Sequence, residues 1–188
     1  MTAVRVLVAV ASRHGATREI AAALARDLAA TGRIAATAVP VENRPDPSRF
    51  DAVVLGSAVY GGSWLPAARE FATAHAGVLR SRPLWLFSSG PIGPAPFPDA
   101  EPYDAATLRD LLGPRGHRVL PGRLEPGLLS FAERAVATAM RAPAGDSRDW
   151  ALVRSWAAEI AAEIAERIPA EATEVPAAGR PSPASSGT

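Results

Sequence analysis

Val4-Arg5-Val6-Leu7-Val8-Ala9-Val10-Ala11-Ser12-Arg13-His14-Gly15-Ala16-Thr17 is the stretch on which the fold turns. Val4 to Val10 is an almost unbroken apolar β-type run, as expected for a strand covered on both faces. A helix follows at once, Thr17 to Ala30, with Ile20, Leu24 and Leu28 on one face and Gly32 at its end. The alternation continues downstream. Ile34 to Val41 reads as a weaker second strand and Ala52-Val53-Val54-Leu55-Gly56 as a third. A helix from Pro66 to Ala76 carries its proline in the first turn, where proline is accepted. Leu84 to Phe87 forms a fourth strand and His117 to Leu120 a short fifth. A last helix, Asp149 to Ile168, aligns Val153, Ala157, Ile160 and Ile164. Buried strands alternating with helices imply an α/β fold: a three-layer, doubly wound parallel sheet with right-handed crossovers. Two segments exceed the minimal five-stranded unit. Gly90 to Pro102 is rich in Pro and Gly and precedes a small helix at Asp104 to Leu112, and an extra helix spans Gly127 to Arg141. Such segments usually build or cover a site.

The 188 residues suit one domain of this kind over residues 1–168. From Pro169 to Thr188 periodicity disappears into Pro, Ala, Ser and Gly, and this tail reads as disordered. Cysteine is absent, which removes disulfides, thiolate metal sites and thiol nucleophiles. Lysine is absent too, so all 20 basic residues are arginine, and lysine-based nucleophiles and phosphate loops are excluded. A net charge of +1 is too balanced for a nucleic-acid protein. The chain opens directly into a strand, and no apolar run spans a bilayer, so a cytoplasmic protein without an integral membrane segment is expected. The alanine-rich composition suggests a bacterial coding bias. His14, His75 and His117 lack metal-ligand spacing, and no metal is expected. Carboxylates are scattered over helix faces, without a close pair for acid–base hydrolysis.

In an open α/β sheet the ligand lies beyond the C-terminal strand edge. There a helix N-terminus offers free N–H groups and a partial positive charge. Ser12 and Thr17 add hydroxyl donors, and Gly15 lets the backbone approach an anion. Thr17 also reads as a plain helix cap. Neither a dinucleotide glycine fingerprint nor a lysine phosphate loop occurs.

Ser12-x-x-Gly15-x-Thr17 resembles the FMN phosphate loop of flavodoxins. Val53-Val54-Leu55-Gly56-Ser57-Ala58-Val59-Tyr60-Gly61-Gly62 is similar to the flavodoxin loop lining the isoalloxazine. Phe87-Ser88-Ser89-Gly90-Pro91-Ile92-Gly93 stands at the position of the loop on the ring's other side. The resemblance spans Val4 to Ile168. Within it, Ser12 to Ala21, Val59-Tyr60-Gly61, and Asp149-Trp150 behind an extra helix resemble the family of menaquinone-dependent protoporphyrinogen dehydrogenase.

The resemblance implies a flavodoxin-like sheet of order 2-1-3-4-5 and FMN as cofactor. The phosphate would be held by Ser12, Arg13, His14, Gly15, Ala16 and Thr17. The ring would lie between Ala58, Val59, Tyr60, Gly61 and Gly62 on one side and Ser88, Ser89, Gly90, Pro91 and Gly93 on the other. Gly61 is the peptide whose carbonyl would meet the reduced ring N5, and no side chain would be catalytic, because the flavin carries the chemistry. His14 departs from the pattern: an imidazole stands where flavodoxins have a hydroxyl, with Arg13 and Arg18 as compensating charges. Trp64 reads equally as a flank to the ring or a staple for the following helix, while Trp85, Trp150 and Trp156 read as packing. The implied function is an FMN-dependent oxidoreductase. It would pass electrons from a reduced organic substrate, protoporphyrinogen in the subgroup, to a quinone or similar acceptor. One alternative is an electron carrier serving a redox partner protein, against which the near-neutral charge argues. The other is a flavin-less regulatory domain on the same scaffold. A homodimer is left open.

Overall fold

The fold was established from a computed structural model, which describes residues 3–90, 103–139 and 141–167. Pro91, Gly93, the remainder of the stretch to Pro102 and the tail from Pro169 therefore lie outside the described residues. The sheet contains β1 (Val4–Ala11), β2 (Ile34–Pro40), β3 (Ala52–Tyr60), β5 (Leu84–Ser89) and β6 (Gly116–Leu120), with a short β4 (Ser63–Trp64) hairpinned onto β3. The order is β2-β1-β3-β5-β6, every pair parallel. Leaving the hairpin strand uncounted, this is the expected 2-1-3-4-5 order.

Strand alternation sorts the core into two layers. Val6, Val8 and Val10 point to one face, against Ile20, Leu24 and Leu28 of α1 (Ala16–Ala29) and Trp156, Ile160 and Ile164 of α6 (Trp150–Arg167). Leu7, Ala9 and Ala11 point to the other. There Val53, Leu55, Leu84 and Leu86 meet Phe71 of α2 (Pro66–Ala74), Leu79 of α3 (Ala76–Arg80), and Leu108 and Leu112 of α4 (Tyr103–Leu112). Each fully buried leucine or isoleucine contributes about 1.5–3 kcal/mol before conformational entropy is set against it.

Several elements differ from the sequence expectation, each for a local reason. β3 continues past Gly56 to Tyr60, because Ser57 pairs with Ala11 and Ser88, Ala58 with Ser89, and Tyr60 with Ser63 of the hairpin. Tyr60 thus ends a strand instead of lying in a loop. Gly61 (φ 57°) and Gly62 (φ 79°) supply the two left-handed residues that a tight type I′ hairpin turn requires. The helix expected over Pro66 to Ala76 breaks at His75 (φ −110°, ψ 14°) and restarts as α3. The extra helix is shorter than expected: a 3-10 turn at Pro126–Leu128 and then α5 (Phe131–Ala139). A two-stranded ribbon, β7 (Arg123–Leu124) with β8 (Gly145–Asp146), brackets that insertion and had no signal in the sequence pattern. Trp64 is core: it is 1% exposed, and its Nε1 donates to Ser88 Oγ at 2.8 Å. Trp150 is not packed inside; it is partly exposed, with the Arg148 guanidinium 4.6 Å from its ring centroid.

The Phe87 ring occupies the space that a side chain at Gly56 would need. A Cβ there would stand 2.0 Å from Phe87 Cε1, and Phe87 is pinned from behind by an edge-on contact with Trp156. Gly56→Ala is expected to destabilise the fold by at least about 1–3 kcal/mol. In urea unfolding, the Gly56→Ala/Phe87→Leu double variant should recover part of that loss; purely additive losses would contradict the steric account.

Candidate functional site

The loop from Ser12 to Thr17 leaves the C-terminal end of β1 and becomes α1 at once. Gly15 is the N-cap residue, in left-handed conformation (φ 90°), and no side chain caps the helix. The Gly15 N–H donates to Ser12 Oγ at 3.1 Å, which folds the loop back on itself. The first helical hydrogen bond runs from Glu19 N–H to the Gly15 carbonyl at 3.0 Å. The N–H groups of Ala16, Thr17 and Arg18 therefore have no intrahelical acceptor. Thr17, which also read as a cap, is instead the second residue of the helix. It is 3% exposed, and its hydroxyl has no hydrogen bond among the described residues. A left-handed glycine, three free amides and a threonine hydroxyl without a partner among the described residues form a donor set suited to an anion.

The ends of β3 and β5 lie beside this loop. Tyr60 makes an edge contact with His14 (ring centroids 6.3 Å apart), and its ring centroid lies 5.6 Å from the Arg13 guanidinium carbon. Burial raises the Tyr60 pKa, the nearby Glu133 carboxylate raises it further, and Arg13 opposes both. Ala58 and Ser89 are buried and Val59 half-buried. Gly90 is tightly set: its N–H reaches the Leu120 carbonyl at 3.4 Å, and a Cβ would come within 3.1 Å of Val59 Cβ. Ser88 is not available to a ligand. Its hydroxyl lies between Trp64 Nε1 and His117 Nε2, the latter at 2.7 Å.

A small cavity opens between His14, Ala16 and Tyr60 on one wall and Arg123, Leu124, Glu125, Leu128 and Leu129 on the other. The second wall belongs to the insertion after β6, which sequence reasoning marked as site-covering without naming these residues. Two charged clusters tie the insertion to the loop. In the first, Arg148, with its side chain only 5% exposed, bridges Asp146 at 2.6 Å and Glu19 in the first turn of α1, and Arg123 joins Glu19 at 3.2 Å. In the second, Glu133 Oε1 forms an ion pair with Arg13 Nη1 at 3.2 Å and accepts from His14 Nε2 at 3.1 Å. Its other oxygen accepts from the Ser130 N–H at 2.8 Å, and the Glu133 N–H meets Ser130 Oγ at 3.3 Å. Ser130-x-x-Glu133 is a capping box and was readable as one; its partners across the fold were not. The Ser130 N–H, the Ser130 side chain and then His14 hold the Glu133 carboxyl down to about 2.

A family model described as "Flavodoxin domain" matches residues 7–150. No curated protein matches. Among solved structures, the chain is similar to a flavodoxin from the domain Archaea (TM-score 0.57, 12% identity, 85% of this chain and 98% of that one). A cysteine-to-serine mutant of flavodoxin from Pseudomonas aeruginosa is similar as well (0.53, 17%, 84% and 97%). So is the rubredoxin oxygen:oxidoreductase of Desulfovibrio gigas (0.60, 14% identity), with 88% of this chain matched; the chain spans only 37% of that protein's length. At these identities the structures report a shared fold.

Arg148, by its hydrogen bonds first, holds both Glu19 and Asp146 below their ordinary values of 4.5 and 3.8. Their stabilising contribution is complete above those values and is lost as pH falls through the lower folded-state pKa values. Arg148→Met is expected to cost about 1 kcal/mol at neutral pH, since both carboxylates are about half exposed. In urea unfolding from about pH 6 to 3, its stability should fall less steeply than that of the wild type. Parallel curves would show that Arg148 does not set these carboxylates.

Proposed function

Because the chain belongs to the flavodoxin domain family, we propose that it is an FMN-dependent oxidoreductase taking electrons from a reduced organic substrate and passing them to a quinone or similar acceptor. Family membership points to FMN as the cofactor and to flavin-binding electron transfer as the general activity. The donor set fits the phosphate end of FMN. The first-turn amides, the Thr17 hydroxyl and the Ser12 hydroxyl would hold it, with Gly15 and Ala16 presenting no bulk and Arg13 supplying charge. Tyr60 and the Ala58–Gly62 hairpin would flank the ring on one side, with Ser89 and Gly90 at the end of β5 on the other. Pro91 and Gly93 keep the roles implied by resemblance. Bound FMN supplies the redox chemistry; the protein contributes binding, orientation and electrostatics.

The observation that carries the substrate reading is the cover. Leu124, Leu128 and Leu129 form the wall opposite His14 and Tyr60 together with the paired Arg123 and Glu125. Such a wall suits a small organic substrate better than a carrier, which needs an open edge toward a protein partner. Protoporphyrinogen, the substrate of the resembled subgroup, is the first compound to assay. Reconstituted protein is expected to reduce a menaquinone analogue at the expense of the porphyrinogen, faster than free FMN does. No turnover, with rapid electron exchange with a ferredoxin reductase, would favour the carrier instead. A second measurement addresses the loop. Thr17→Ala should weaken FMN binding by about 1–3 kcal/mol, the cost of leaving a charged acceptor short of a donor, and leave riboflavin affinity nearly unchanged. Equal loss for both ligands would contradict the assignment.

A further inference from the structure

Helix α5 packs in reverse of an ordinary surface helix. Phe131 is 83% exposed and Val136 57%, and none of its described residues is buried. The positions withdrawn furthest from water are Glu133 and Ala137, one turn apart on the inward side. What faces the domain is therefore a carboxylate, and its partners there are Arg13 and His14, both on the single oxygen Oε1. The Ser130 capping box fixes the second oxygen, so the carboxylate is presented to the loop in one orientation. As an ionised carboxylate only accepts, His14 must carry its proton on Nε2 and donate it to Glu133.

We propose that Glu133 is a resident anion on the phosphate loop and determines how strongly this chain prefers a phosphorylated flavin. The inference rests on the reading that Ser12–Thr17 receives the cofactor phosphate. While Glu133 holds Arg13 and His14, those two side chains are unavailable to an incoming phosphate, and the carboxylate adds like-charge repulsion. The tether is weak enough to yield. Arg13 is 54% exposed and its ion pair contributes little; His14 and Glu133 are more enclosed, at 23% and 16%, but α5 has no apolar burial to hold them together. A dianionic phosphate at the helix N-terminus gains amides and the Thr17 hydroxyl, which Glu133 does not engage. Phosphate binding and α5 docking are thus in competition, and the net preference for FMN over riboflavin is what remains after Glu133 is displaced.

The test measures dissociation constants for FMN and riboflavin with the full-length wild type, Glu133→Gln and Ser130→Ala, and amide hydrogen exchange across α5. Glu133→Gln should bind FMN roughly threefold to tenfold more tightly with riboflavin unchanged. Ser130→Ala, which removes the side-chain cap of the α5 start but keeps the Ser130 N–H on the carboxylate, should shift FMN affinity in the same direction by less. FMN, but not riboflavin, should speed exchange in α5 of the wild type. Weaker or unchanged FMN binding by both variants, or slower α5 exchange on FMN binding, overturns the proposal while the phosphate-loop reading stands. Equal wild-type affinity for FMN and riboflavin, with Thr17→Ala affecting neither selectively, overturns the loop reading and this inference with it.

Discussion

Burial of β1 and β3 on both faces is the constraint from which the rest follows. Val6 to Ala11 and Ala52 to Leu55 are almost wholly withdrawn from water. Strands of that kind need helices above and below, and the crossovers then have to be parallel and right-handed. Parallel crossovers bring the outgoing ends of β1, β3 and β5 to one edge. The loop at Ser12, the hairpin at Tyr60 and the turn at Gly90 are neighbours for that reason, although long stretches of chain separate them. The Phe87 ring over Gly56 then keeps the two central strands close at the level where their loops leave the sheet.

On this edge the protein works with charge and hydrogen bonding more than with shape. With lysine absent, the basic side chains are arginines and three histidines, and planar guanidinium groups make several directed bonds at once. Arg148 uses that capacity to join the ribbon of the insertion to the first turn of α1. Glu19 sits near the positive end of α1, where an acid is favoured, and serves both Arg123 and Arg148. The N-terminal end of α1 is thus framed by groups whose own charges are already matched. The Thr17 hydroxyl is left free.

The strand order was legible because uniform apolar runs and 3.6-residue stripes are local signals, and Ile20, Leu24, Leu28, Val153 and Ile160 all fall where periodicity puts them. The loop donors were legible for the same reason, lying within six consecutive residues. Extension of β3 to Tyr60 was not, because Ser57 and Ala58 have weak strand propensity and are held by their neighbours on both sides. Trp64 and Trp150 look alike in sequence. One closes onto Ser88 in the core, and the other lies under Arg148 at the surface. The charged ties were hidden altogether. His14 and Glu133 are 119 residues apart, Glu19 and Arg148 129, and no local pattern encodes a pairing across such distances.

The contact between α1 and α6 has a consequence for how the molecule is made. Val6, Val8, Val10, Ile20, Leu24 and Leu28 are synthesised early, yet one wall of their core is Trp156, Ile160 and Ile164. A nascent chain that has produced the whole parallel sheet still exposes that apolar face until the last helix leaves the ribosome. Biosynthesis thus carries a waiting period in which a nearly complete domain is sticky. A chaperone, or a nearby surface that shields the helix α1 side, would matter most in that interval.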